Sequence, residues 1–294
     1  MLTGAASRCV ASWLVVTATA GAGVSSHQTF RSTTRVVPIY ATVTGPNGRL
    51  MPDLKVDDFV LLDNGMPQTI TTFSKEPVPI VGVALWDVSN SMDPNAERVR
   101  ASARAFVRAL WPEDRFRIGS FGGTIVISPL LTNDKSILAR VVDEELWFGG
   151  GTPLWTAIAA GLDEVSQEIG RRIVVVVTDG QTLELQTSKT DVMRQMHRSD
   201  AMVYAIGFSP AGLSGAIKDV VDESGGGHAE LGDVKGFDAE LARVAAELHH
   251  QYVLGFSPQV LDGKVHKLAV STRVPGAKVR ARKGYVAEAK VPVP

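Results

Sequence analysis

The sequence predicts an α/β fold: a doubly wound, mostly parallel sheet with one antiparallel edge strand, beside a small β-domain built from the N- and C-terminal flanks. Three observations predict it. Residues 80–85 and 173–177 are continuous apolar runs, as expected of strands covered on both faces. Segments with helical spacing alternate with such runs through the middle of the chain, as a parallel sheet requires. Towards both ends the pattern changes to period two, the mark of half-buried strands.

The elements follow in order. Val37, Ile39, Ala41 and Val43 fall on one face of a strand, with Tyr40, Thr42 and Thr44 on the other. Gly45-Pro46-Asn47-Gly48 ends it. A second strand covers 59–62, and Asp63-Asn64-Gly65 is a tight turn, because Asn-Gly tolerates positive φ and favours a hairpin. A third strand runs over 68–73. Pro77 and Pro79 mark a boundary that neither a helix nor a central strand crosses. Beyond it come the strand at 80–85, an amphipathic helix over 94–110, strands at 115–121 and 124–130, and a helix over 153–168. The strand at 173–177, a helix over 190–198, a strand at 202–207 and helices over 213–224 and 236–250 complete the unit. Only Gly122-Gly123 separates the strands at 115–121 and 124–130. Two residues cannot make a parallel crossover, so this pair is antiparallel and lies most simply at an edge. Strands return at 252–256, 267–272 and 278–282, with a turn at Asp262-Gly263. The ends of the α/β domain should lie near one another, so the two flanks are expected to pack as one β-domain.

Composition bounds the function. The chain has 294 residues, 45% hydrophobic and 21% charged, with a formal net charge of −1. No overall field attracts nucleic acid. The basic cluster Lys278, Arg280, Arg282 and Lys283 alternates along one short stretch and is expected to be a solvated strand face. The single cysteine, Cys9, excludes an internal disulfide. It lies in a segment set apart from the fold. Arg8 is the only charge in the first 30 residues, an apolar small-residue run follows from Val10 to Ala22, and Ala18-Thr19-Ala20 fits a small-x-small cleavage site. The expected division is therefore a cleaved export signal at 1–23, a linker at 24–34, an N-terminal β segment at 35–76, the α/β domain at 77–250, a C-terminal β segment at 251–287 and a tail at 288–294. No other stretch is long and apolar enough to span a bilayer, so no transmembrane segment is expected after signal removal. The oligomeric state is not specified by the sequence.

The stretch that carries chemistry is Leu85-Trp86-Asp87-Val88-Ser89-Asn90-Ser91-Met92. An apolar strand ends in Asp-x-Ser-x-Ser and a helix follows. In an open parallel sheet the carboxyl ends of the strands form the ligand crevice. Carboxylate and hydroxyl oxygens are hard ligands suited to Mg²⁺, Ca²⁺ or Mn²⁺. Two more oxygens fall in matching places. Thr152 follows Gly149-Gly150-Gly151, and Asp179 follows the β-branched strand at 173–177. Asp87, Ser89, Ser91, Thr152 and Asp179 are the candidate metal ligands.

This pattern resembles the von Willebrand factor type A (VWA) domain and its metal-ion-dependent adhesion site, with all five motif residues present. The resemblance covers roughly 78–250 and implies a Rossmann-like sheet. Leu54-x-x-Asp57-Asp58-Phe59, Asp63-Asn64-Gly65-x-Pro67-Gln68, Tyr252-Val253-Leu254-Gly255-Phe256 and the segment from Val279 to Tyr285 are similar to a bacterial exported subgroup labelled "VWFA-related", extending the resemblance to about 36–287. Family members usually carry Gly at the position of Asn90 and a smaller apolar residue at Trp86. Many carry Tyr-Asp where this chain has Trp155-Thr156. Trp155 is either core filler or a rim aromatic.

The resemblance implies that Ser89 and Ser91 coordinate the metal directly, with Thr152, Asp87 and Asp179 binding directly or through water. Mg²⁺ is the expected ion, with Mn²⁺ or Ca²⁺ as alternatives. An open coordination position would accept an Asp or Glu from a protein partner. The expected function is a metal-dependent adhesion module, exported to the periplasm, cell surface or medium. The alternatives are an exported structural domain with a vestigial site and a metal-assisted hydrolase. No nucleophile elbow, zinc-spaced histidine pair or phosphate loop supports an enzyme. His249-His250 ends a helix, where positive charge suits the dipole. The other histidines have no partner at ligand spacing, and Gly225-Gly226-Gly227 reads as a turn.

Overall fold

The computed structural model describes residues 36–182, 186–208, 212–230 and 237–288. The expected signal at 1–23, the linker at 24–34 and all of the tail except Glu288 lie outside them. The chain opens with β1 (Val37–Thr44), β2 (Phe59–Asp63), β3 (Met66–Gln68) and β4 (Thr72–Ser74). Asn64 and Gly65, both at positive φ, close the β2–β3 hairpin. The single strand expected over 68–73 is two strands. β3 pairs with β2, and the chain then crosses to the other sheet, where β4 pairs with β11 (Tyr252–Phe256). Ile70 packs on the shared core between them, so the crossing leaves the apolar pattern unbroken.

The α/β domain runs β5 (Ile80–Asp87), α1 (Ala96–Ala109), β6 (Arg115–Phe121), β7 (Ile125–Ile127), α2 (Lys135–Glu145) and α3 (Leu154–Val165). It continues through β8 (Arg171–Thr178), α4 (Lys189–Arg198), β9 (Met202–Gly207), α5 (Gly215–Ser224), β10 (His228–Glu230) and α6 (Phe237–His249). The sheet order is β10-β9-β8-β5-β6-β7, parallel except for β7 at one edge. Alternate residues of the central strands feed two cores. Ala84, Trp86 and Val175 face α1, α2 and α6. Val83, Leu85 and Val176 face α3, α4 and α5. Burial of both strand faces is why these sequences are apolar throughout. Trp86 is accommodated because its indole N–H donates to Ser102 Oγ of α1 at 3.1 Å. Trp155 is 1% exposed and fills the second core.

Three elements were not anticipated. α2 starts at Asp134, which accepts from the backbone of Ser136 at 2.8 Å, and it buries Leu138, Val141 and Val142. β10 follows the glycine turn at 225–227, with Gly225 left-handed at the end of α5. β14 (Gly284–Val286) is a short strand beside β12 (Val265–Thr272).

The flanks form two antiparallel four-stranded sheets. One has the order β13-β1-β11-β4, with β13 at Lys278–Ala281, and the other β14-β12-β2-β3. Each sheet takes strands from both ends of the chain, and one apolar core including Ile39, Phe59, Tyr252 and Tyr285 lies between them. The basic cluster is not one solvated face. Lys278 and Lys283 are exposed, but Arg280 pairs with Glu247 of α6, and burial pushes Arg282 down to about 10. These two arginines turn towards the α/β domain because its α6 and α4 supply their acceptors, Glu247 and the His197 carbonyl.

The two parts meet at a polar cluster. Glu247, 3% exposed, accepts from Arg280, from Tyr204 Oη at 2.9 Å and from Arg243 at 3.4 Å. Gln251 Nε2 donates to Tyr204 Oη at 3.1 Å and to Thr42 Oγ1 of β1 at 3.0 Å. A buried carboxylate that anchors several donors is costly to remove, because the donors lose their partner without regaining water. Glu247→Ala should therefore lower the unfolding free energy by about 3 kcal/mol in urea titrations, and Glu247→Gln by less.

Candidate metal centre

The chain leaves β5 towards β6 on one side, and β8 towards β9 on the other. The crevice between the carboxyl ends of β5 and β8 is therefore the point where the winding reverses, the place open α/β sheets reserve for ligands. Asp87 is the last residue of β5 and Thr178 the last of β8; Trp86 stands opposite Val177 in the register. Asp179 follows at the same rim.

Asp87 is fully buried. Its Oδ1 accepts from Ser89 N at 3.0 Å and Ser89 Oγ at 2.6 Å, and its Oδ2 accepts from Thr178 Oγ1 at 2.6 Å. Burial pushes its carboxyl above the ordinary carboxylate range. The donors from Ser89 and Thr178 pull it back, and the nearby Asp179 adds to the upward push. Ser89 is buried, and its Oγ lies 3.1 Å from Ser91 Oγ, which is exposed at the mouth. Asp179 is half-buried and accepts from Gln181 N at 3.0 Å. Neither Asp87 nor Asp179 forms an ion pair with a cationic side chain among the described residues.

Thr152, 5% exposed, is brought to the rim by a backbone clasp. Asn90 N donates to Gly150 O at 3.0 Å, and Gly150 N donates back to Asn90 Oδ1 at 3.0 Å. Gly149 N donates to Val88 O at 2.8 Å, and Gly123 N to Gly149 O at 2.7 Å. The departure at Asn90 thus has a use: its side chain holds the loop that carries Thr152. Gly150 cannot be replaced freely. Its φ is +82°, and a Cβ there would lie 2.2 Å from Gly123 Cα.

The structure links Asp87, Ser89 and Ser91 by direct hydrogen bonds, ties Thr152 to them through the clasp, and sets Asp179 beside Asp87 across the strand ends. Sequence reasoning missed Thr178 and the bracing role of Asn90. A threonine ending a strand next to Asp179 was the available signal for the first. The donor set is two carboxylates and three hydroxyls, with no nitrogen or sulfur. A buried carboxylate beside a second one, with no cationic side chain paired to either among the described residues, is an uncompensated negative site, and the five residues fit a hard divalent cation.

The clasp yields a ranking. Gly150→Ala should destabilise the protein by about 2 kcal/mol or more through strain and collision, and Asn90→Ala by about 1 kcal/mol through one lost hydrogen bond. Denaturant titration of both variants checks the order.

The profile of the von Willebrand factor type A domain matches residues 83–233, just over half of the chain. Similar solved structures include the conserved hypothetical protein BatB from Bacteroides thetaiotaomicron, at 16% identity, with 58% of this chain and 98% of that one covered and a TM-score of 0.48. A von Willebrand factor type A protein from Catenulispora acidiphila is 13% identical over 89% of this chain and 76% of that one, with a TM-score of 0.47. The PilB minor pilin from Streptococcus sanguinis is 11% identical over 60% and 63%, with a TM-score of 0.46. A search of curated proteins finds no match. The chain belongs to the von Willebrand factor type A domain family, a family of adhesion and protein-interaction modules.

Proposed function

We propose that this chain is an exported bacterial adhesion module that binds a protein partner through a divalent metal, Mg²⁺ foremost. One observation carries the reading: the fully buried Asp87 carboxylate sits at the switch crevice beside Asp179, with hydroxyl donors around it and no cationic side chain paired to it among the described residues. Asp87, Ser89, Ser91, Thr152 and Asp179 would hold the ion, which would supply an electrophilic position for a partner's Asp or Glu carboxylate. Thr178 orients Asp87 by donating to Oδ2, and Asn90 holds the Thr152 loop in place. Residues 77–250 are the binding domain in this reading, and 35–76 and 251–287 its frame. Export rests on the signal expected at 1–23.

We favour a binding module over a hydrolase. None of the described histidines hydrogen-bonds to a site residue. His249 is bonded to Asp114 at 3.0 Å, His266 to Asp63 at 2.9 Å and His197 to Glu223 at 2.7 Å.

Thermal unfolding with millimolar Mg²⁺ or Mn²⁺ against EDTA tests the reading. Metal at about 100 times its Kd adds about 2.7 kcal/mol, a rise of roughly 5–10 °C in Tm for a domain of this size. Ser89→Ala should abolish the rise. Asp87→Asn should abolish it too, yet unfold no earlier than wild type without metal, because it removes the uncompensated charge. A wild-type Tm that ignores both metals overturns the proposal. A partner captured from envelope extract only without EDTA would extend it.

A further inference from the structure

Trp147 is 77% exposed, the one aromatic among the exposed large apolar side chains of the described residues. It does not sit on a loose loop. The carbonyl of Leu146 accepts from Arg100 at 3.1 Å, the Arg100 guanidinium lies 5.1 Å over the Phe148 ring, and Gly149 is bonded on both sides to Val88 and Gly123. The indole is held out into water by a pinned backbone. It forms one wall of an open groove of about 480 Å³, lined also by Ser120, Val126, Glu145, Phe148 and Gly149.

The floor of this groove is the face of β6 and β7 that carries Ser120 and Val126, next to the edge of the sheet. β7 is the last strand in the order, and no described strand pairs with its outer side. Ser128 N donates to Ile118 O and Gly122 N to Thr124 O, with Val126 opposite Ser120 between them. Bonded and unbonded pairs alternate in an antiparallel ladder. Thr124, Val126 and Ser128 therefore face β6, and the N–H and C=O groups of Ile125 and Ile127 face outward. Unpaired main-chain groups of this kind are a template for an added strand.

The groove is joined to the rim through the Gly149-Gly150 loop. Trp147 is five residues before Thr152, so the two lie within about 17 Å of each other. Gly149 lines the groove, and the neighbouring Gly150 is clasped to Asn90 in the Asp87-x-Ser89-x-Ser91 loop. Charge sets the orientation of anything that spans both. Glu145 repels an acidic side chain from the groove end, whereas a divalent ion at the rim attracts one.

We propose that the partner binds as an extended segment that adds to the edge of β7. A bulky apolar side chain lies between Val126 and Trp147, and an Asp or Glu about three to five residues along reaches the metal rim. This rests on the metal reading above, and the test separates the two.

The full chain, loaded with Mg²⁺, is used to select from a displayed library of random 12-residue peptides, where the length of about 12 spans groove and rim. The most enriched peptide is synthesised and its affinity measured for wild type, Trp147→Ala and Ile127→Pro, with and without EDTA. Ile127→Pro removes one outward N–H at an edge position, where proline is tolerated. A Mg²⁺-induced rise in Tm equal to wild type verifies that each variant is folded, and Trp147→Ala carries the test alone if Ile127→Pro is not. The expected peptide has an acidic residue about three to five positions from an aromatic or aliphatic one, loses binding in EDTA, and binds the folded variants roughly tenfold or more weaker. EDTA-sensitive binding unchanged in Trp147→Ala overturns the edge site and leaves the metal reading standing. Binding indifferent to EDTA overturns both. Failure to enrich any EDTA-sensitive peptide overturns the edge site, as does a wild-type dimer that Trp147→Ala dissolves in sedimentation, which would assign the edge to a second copy of the chain.

Discussion

The carboxylate of Asp87 is kept out of water with no cationic side chain paired to it among the described residues, and much of the surrounding structure serves that burial. β5 is flanked by β6 and β8 and covered on both faces, so its last residue cannot reach solvent. The charge is met by dipoles instead: a backbone N–H and a hydroxyl from Ser89, and a hydroxyl from Thr178. Such donors soften the cost of burial but do not cancel it. Asp179 at the next strand end makes the balance worse. A proton or a cation would complete it, and in the proposed reading the oxygen-only donor set takes the cation.

Holding these oxygens together is a matter of backbone, not of side-chain packing. The Asn90–Gly150 clasp and the bonds of Gly149 to Val88 and Gly123 join three loops into one rim. That closeness is possible only because glycines occupy the contact, as the collision of a Cβ at Gly150 with Gly123 demonstrates. At the other end of the domain, Glu247 gathers donors from α6, β9 and β13. The same chain thus joins its parts through a carboxylate paired with arginines, and buries another that only neutral donors meet among the described residues.

Much of this was legible in the sequence because it depends on local pattern. The runs at 80–85 and 173–177 could only be strands covered on both faces. Asn64-Gly65 closed a hairpin as its dihedral freedom allows, and Gly122-Gly123 left β6 and β7 no choice but to run antiparallel. The two flanks share one core, as the closeness of the domain ends implied. What escaped depends on partners distant in the chain. Arg280 and Arg282 look like a wet strand face until α6 and α4 are placed opposite them. His249 at the end of α6 suits the helix dipole, but it is 1% exposed, stacked on Trp111 and bonded to Asp114, 135 positions away. The split of 68–73 into β3 and β4 was invisible because Ile70, between the two strands, packs on the same core as Phe73 of β4. α2, by contrast, is local: Asp134 caps it, and Leu138, Val141 and Val142 fall at helical spacing.

The strands that lead into and out of the α/β domain are hydrogen-bonded to each other. β4 precedes the domain, β11 follows it, and Val253, Leu254 and Gly255 pair with Ser74, Phe73 and Thr72. β1 then pairs with β11 on its other side. Tension applied through the two flanks runs across these ladders and bypasses the long excursion between them. Load carried by the frame therefore need not stretch the domain between its strands, so the geometry of the rim is mechanically insulated from the flanks.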